Sequence, residues 1–260
     1  MSHYNISFVG AGKVSEALSL EFHQKGHVIR TIVSPGRQNG ERLAELSGAK
    51  WSSSPLFGDE NDIIIAAVPD NKLVQVLAEI KCSGDTIVAH TAASFGLEVF
   101  PDTIIKSGLF YPLQTFSTGR KAELNEIPVF IEASDEETCS VLKDLASSVG
   151  CKIYQTDAER RRMLHVAAVF VSNFTNHMLT SGKDISSVAG FSFDILIPLI
   201  RETVLKAIEN GPEKSQTGPA IRHDVNTLKK HLELLSFSPE MRRVYEEVSR
   251  SIMDYYKDLK

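Results

Sequence analysis

The chain has 260 residues, enough to bury a sizeable core and to form two folding units. Its 42% hydrophobic and 23% charged content is that of a water-soluble globular protein, and a net charge of −5 argues against nucleic-acid binding as its main business. Cys82, Cys139 and Cys151 are widely spaced and form no CxxC pair, which excludes a disulfide framework and a zinc site, and the longest apolar run, around Val166–Val171, is far too short to span a bilayer. A strand begins almost at the first residue, so no signal peptide is expected and the protein reads as cytoplasmic, with no membrane partner, no nucleic-acid partner and no metal.

The first stretch, Asn5–Ser15, reads NISFVGAGKVS. Ile6, Phe8 and Val9 form a strand. Gly10, Gly12 and Ser15 stand where a dinucleotide-binding turn places its small residues. The first glycine permits the tight turn and the second lets backbone approach a pyrophosphate. The third small residue lets helix pack on strand. Gly10, Ala11 and Gly12, with Lys13 and Val14 opening the helix, form the expected phosphate cradle.

Alternation of strand and helix follows. Lys13–Lys25 is an amphipathic helix stopping at Gly26, His27–Val33 a strand, Arg37–Leu46 a helix stopping at Gly48, and Ala49–Ser52 a short strand. Asp62–Val68 is a continuous apolar run suited to the inside of a parallel sheet. Asn71–Ile80 reads as a helix and Thr86–Ala89 as another buried strand. The fold class is therefore α/β: an N-terminal Rossmann-type, doubly wound sheet. The pattern then loosens. Thr103–Leu109 reads as a strand and Phe110–Phe116 as a turn, followed by strand Pro128–Glu132, helix Glu136–Val149 and strand Cys151–Tyr154. Thr156 or Asp157 caps the next helix, which places a boundary near Thr156, with domains at 1–156 and 157–260. Beyond it the pattern is all helical: Ala158–Ser181, Ile195–Glu209, Pro219–Leu235 and Pro239–Leu259.

The chemistry-bearing residues fall at element ends. An NAD-specific site carries an acid about 20 residues after the glycines. Here Val33–Ser34–Pro35–Gly36–Arg37 has none, so Ser34 and Arg37 are expected to hold a 2′-phosphate, and NADP is the expected cofactor. The other reading makes Ser34 a turn residue and Arg37 a solvated one. Ala67, Val68 and Pro69 end a buried strand and border the adenosine. His90 ends the next strand, as proton donor or as a hydrogen-bonded strand end. Tyr111 and Gln114 edge the substrate cleft or shape a turn. Arg160–Arg161–Arg162 reads as a solvated first turn. The helix that follows is apolar nearly all round, so it should be buried on most sides. At about 100° per residue its polar residues His165, Ser172 and Asn176, with Asn173 at the edge, form one stripe, and His165 and Asn173 are assigned to the substrate cleft. Arg222, behind Pro219, would hold a substrate carboxylate or form a surface pair with Asp224.

Four segments together, GAGKVSEAL, GLFYPLQTF at Gly108–Phe116, HVAAVFVSNF at His165–Phe174 and TGPAIRHD at Thr217–Asp224, resemble the DUF2520 family of Rossmann-like NADP oxidoreductases over essentially the whole chain. That family more often has histidine in place of Tyr111 and glycine in place of His223. The layout is also similar to pyrroline-5-carboxylate reductase, ketopantoate reductase and the 6-phosphogluconate dehydrogenase-like group. This resemblance implies a helical C-terminal domain of the 6-phosphogluconate dehydrogenase type, a homodimer formed through it, and reduction of a C=O or C=N bond. The expected function is hydride transfer between NADP(H) and a small anionic keto or imino metabolite. His165 or His90 would supply the proton and Asn173 would orient the acceptor atom. The alternative is an NADP-binding sensor without turnover. No residue separates nicotinamide from a deazaflavin coenzyme.

Overall fold

The computed structural model describes residues 2–119 and 123–257. The elements follow in the order β1 (Asn5–Val9), α1 (Lys13–Gln24), β2 (Val28–Val33), α2 (Arg37–Ser47), β3 (Lys50–Ser52), β4 (Ile63–Ala66), α3 (Asp70–Glu79), β5 (Ile87–His90), β6 (Ser107–Pro112), β7 (Pro128–Ala133), α4 (Glu136–Ser148), β8 (Lys152–Gln155) and α5 (Ala158–Ala168). A π-helical turn, Val169–Phe174, leads into α6 (Thr175–Val188), α7 (Ile197–Asn210), α8 (Pro212–Ser215), α9 (Val225–Leu234) and α10 (Pro239–Tyr255).

Among the described residues the sheet has eight strands in the order β3-β2-β1-β4-β5-β6-β7-β8. All neighbours are parallel except β6 and β7. Strand order reverses at β1, where β2 and β4 flank it, so the expected doubly wound sheet is what forms. Residue alternation sorts the core into layers. Phe8, Ile63 and Ile65 pack with Leu18, Phe22, Leu43, Leu142 and Leu145 from α1, α2 and α4 on one face. Ile64, Ala66 and Val88 pack with Leu73 and Leu77 of α3 on the other. On that second face Leu109, Tyr111 and Phe130 meet Leu164 of α5.

Contacts divide the chain into Met1–Asn173 and Phe174–Lys260 rather than at Thr156. The expected solvated run is only partly so: Arg160 is exposed beside Asp157, but Arg161 has no solvent exposure. Its guanidinium donates to the Ala93 carbonyl at 3.1 Å, to the Phe95 carbonyl, and to Glu132 at 2.6 Å. These bonds tie α5 to the loop after β5 and to β7, so α5 belongs with the sheet.

Other departures have local causes. β6 runs through Phe110, Tyr111 and Pro112, where a turn was expected, because Phe110 is fully buried and β7 pairs with the strand as far as Pro112. The long helix extends to Val188, and its middle is widened by the π turn. It is not buried on most sides: Val166, Phe170 and Val171 are half or more exposed. Helix α9 starts at Val225, not Pro219. His223 has φ +55°, a left-handed conformation that a helix cannot contain and that suits the glycine more usual there, and Asp224 caps α9 by accepting the Thr227 N–H at 3.1 Å. The Leu259 end of the last helix lies outside the described residues. Among the described residues no helix is long and apolar enough to cross a membrane.

Replacing Arg161 with Ala leaves two carbonyls and the partly buried Glu132 carboxylate without their guanidinium partner. Unfolding in urea should show a loss of about 3–5 kcal/mol, far beyond the loss for exposed Arg160→Ala.

Candidate functional site

The turn between β1 and α1 builds the first part of the site. Gly10 has φ +110°, and a Cβ there would lie 2.2 Å from the Ala67 carbonyl oxygen, so only glycine fits. Its N–H donates to the Val33 carbonyl at 2.7 Å, which fixes the turn against β2. Gly12 is the N-cap of α1, and no side chain caps that helix. A Cβ on Gly12 would meet nothing within 4 Å, so open space lies before the N–H groups of the first turn, where Lys13 and Val14 sit. Ser15 is fully buried, with a hydroxyl lacking any hydrogen-bond partner among the described residues. Smallness, not polarity, is what this position uses. A cleft of about 510 Å³ opens here, lined by Gly10, Ala11, Gly12, Ala67, Val68 and Pro69 among others. It lies at the carboxyl ends of β1, β2 and β4, the switch point of the sheet. The uncapped helix and the open face of Gly12 fit a dinucleotide pyrophosphate.

At the end of β2 the outcome is mixed. Ser34 lines the cleft, but its hydroxyl donates to the Gly36 carbonyl at 3.0 Å and accepts from Trp51 Nε1 at 3.2 Å. Its proton is committed, so the expected donation to a phosphate is replaced by a structural bond. Arg37 opens α2 and is largely exposed. It pairs with Glu41 at 2.9 Å and lies over the Trp51 ring, 5.5 Å from the ring centroid.

The second part of the site lies at the carboxyl end of β6. A hollow of about 410 Å³ is lined by Tyr111, Gln114, Leu164, His165, Ser172 and Asn173 among others. The Tyr111 hydroxyl and His165 Nδ1 are 3.1 Å apart, with the rings edge to face. Burial raises the Tyr111 phenol above its usual range, while the Arg161 charge opposes that rise, so Tyr111 stays neutral at physiological pH. The structure thus gathers Tyr111, His165 and Asn173, which lie far apart in the chain. The π turn carries Ser172 and Asn173 and alters the expected 100° register; Asn176 falls in the other unit.

His90 departs from the expectation of a proton donor. It is fully buried; Nδ1 accepts the Ala92 N–H and Nε2 meets the Gly96 carbonyl, both at 3.2 Å. Nε2 therefore carries the hydrogen. Burial lowers its pKa to about 4, and Arg161 adds to that. A neutral ring with both nitrogens engaged locks the strand end and has no proton to give. Arg222 lies in the turn before α9, within the C-terminal unit. Sequence reasoning missed Arg161 and Trp51. Arg161 stands three and four residues before Leu164 and His165, on the face that meets the sheet, and that spacing was the available signal.

Residues 5–94 match a family model described as NADP oxidoreductase, coenzyme F420-dependent, and residues 127–252 match DUF2520, a domain of unknown function. A candidate NADP oxidoreductase from Bacteroides fragilis is 34% identical, with 97% of this chain and 98% of that one covered at a TM-score of 0.88. Two others are similar in fold alone. A reductive aminase from Aspergillus terreus, solved with NADPH and ethyl-5-oxohexanoate, is 15% identical (98% and 100% covered, TM-score 0.68). A 1-pyrroline-5-carboxylate reductase from Streptococcus pyogenes is 14% identical (97% and 99% covered, TM-score 0.61). No curated protein matches the chain.

The His90 environment sets a pH dependence. The unfolded chain takes up a proton near pH 6.5, whereas the folded chain does so only near pH 4. Stability should therefore rise with pH between about 4 and 6.5 and level off above, by about 3 kcal/mol from this group. His27, also lowered by burial, acts in the same direction. Urea midpoints measured across that range should flatten in His90→Asn.

Proposed function

The chain belongs to the family that joins an NADP-oxidoreductase-type nucleotide domain to DUF2520, and on that premise we propose that it is an NADP(H)-dependent oxidoreductase that reduces a C=O or C=N bond of a small anionic keto or imino metabolite. One observation carries the reading. The uncapped glycine turn and the Tyr111–His165–Asn173 hollow lie along the same carboxyl edge of one sheet. NADP is favoured over NAD because residues 33–37 offer no acid to repel a 2′-phosphate and Arg37 offers a cation.

When bound, the nicotinamide supplies the hydride. The chain's residues manage the rest. His165 holds the proton that the acceptor atom requires, and the Tyr111 hydroxyl fixes the ring through Nδ1. Asn173 orients the acceptor by hydrogen bonding. Leu113, Leu164 and Val171 give the hollow apolar walls that limit water. With NADPH and a panel of small keto and imino acids, turnover should appear and should favour an acid over its ester. His165→Ala should lower kcat/KM by about 100-fold or more, and Asn173→Ala should raise KM. NADPH binding without oxidation across the whole panel would overturn the enzyme reading and favour a sensor.

The same proposal includes a homodimer through the helical part. Helix α7 has no buried residue, and Leu199, Leu205 and Ile208 on it are more than half exposed. An apolar helix of this length does not persist uncovered in water. Light scattering should give twice the chain mass, and Leu205→Glu with Ile208→Glu should give the chain mass or an unfolded helical part. A wild-type monomer at micromolar concentration would overturn the dimer.

A further inference from the structure

At the adenosine end of the cleft, one side chain organises several others. Trp51 lies in β3, paired with Ile32 of β2. It stands between two residues that line the cleft, Ser34 through its Nε1 bond and Ser53 through the chain. Its ring lies beneath the Arg37 guanidinium. Gly40 leaves the space that this needs: a Cβ there would lie 2.2 Å from Ser34 Oγ and 2.3 Å from Trp51 Cδ1. Arg37 uses Nε for Glu41, and its two terminal nitrogens make no hydrogen bond among the described residues. A planar cation held over an aromatic face, with its fork unspent, is preorganised for a phosphate dianion. Without the ring, an exposed Arg–Glu pair has little to hold it in one geometry.

We propose that Trp51 determines nucleotide choice by holding the Arg37 guanidinium at the cleft's β2 end, ready for a 2′-phosphate. The inference rests on the NADP reading above and adds the residue that makes Arg37 effective. Phosphate binding exchanges the Arg37–Glu41 pair for an Arg37–phosphate pair, so Glu41 competes with the ligand.

Trp51 is the chain's single tryptophan, so its fluorescence reports directly on this site. Emission should change on adding 2′-AMP to the wild-type chain and not on adding 5′-AMP. Calorimetry should show the NADPH-over-NADH affinity ratio falling about three- to tenfold in Trp51→Leu with NADH affinity unchanged. Trp51→Phe, which keeps a ring, should fall between. Glu41→Gln should raise the ratio a few-fold, an effect that a purely structural Trp51 does not explain. Unchanged NADH affinity also serves as the check that each variant is folded. A ratio preserved in Trp51→Leu but lost in Arg37→Met would overturn the Trp51 role and leave the NADP reading standing, as would an equal loss of both nucleotides in Trp51→Leu. No preference in the wild-type chain would overturn both.

Discussion

A guanidinium without any solvent exposure joins three segments that are remote in sequence. Arg161 takes its charge out of water, which costs several kcal/mol, and the surroundings answer with Glu132 on β7 and the carbonyls of Ala93 and Phe95 beyond β5. Such a pair adds little net stability compared with well-packed apolar residues. What it does is fix rotation. With Arg161 held, the residue one helical turn later, His165, faces the sheet and meets Tyr111. That register places Leu164 and His165 on the wall of the hollow.

Stability is distributed unevenly along the chain. The sheet part closes two layers of Ile, Leu, Val and Phe around itself, each buried side chain contributing about 1.5–3 kcal/mol. After Asn173, the fully covered apolar side chains among the described residues are few: Ala220, Leu228 and Leu235. Both hollows are thus built on the sheet part, and they draw on different physics. The glycine turn offers backbone dipoles in open space. The Tyr111–His165 side offers a hydrogen-bonded pair in which burial keeps the Tyr111 phenol neutral.

Much of this was legible residue by residue. The Gly10–Gly12 turn is readable because its demand is local: a positive φ and a close backbone neighbour admit no side chain. β4 and β5 are readable because central parallel strands are apolar on both faces. The family resemblance drawn from four short segments agrees with the family matches over both parts of the chain. The misreadings share a pattern. Pro112 looked like a turn residue, but the antiparallel partner β7 keeps it at a strand end. Pro219 looked like a helix start, but His223 takes a left-handed conformation two residues before α9 begins. Ser34 and His90 were each open to a ligand contact or a structural bond, and Gly36, Trp51, Ala92 and Gly96 engage them in structural bonds.

Sequence alone determined the order of elements, the doubly wound class, the glycine turn after β1 and the absence of an acid at the end of β2. These depend on periodicity, backbone freedom and residue type within a few positions. Tertiary structure decided which polar side chains remain available. It buried Arg161 and left Arg160 exposed, silenced His90, brought Tyr111 to His165 across 54 positions, and laid Arg37 over Trp51. Hydrogen-bond saturation and desolvation arise from neighbours distant in the chain, so no local pattern can specify them.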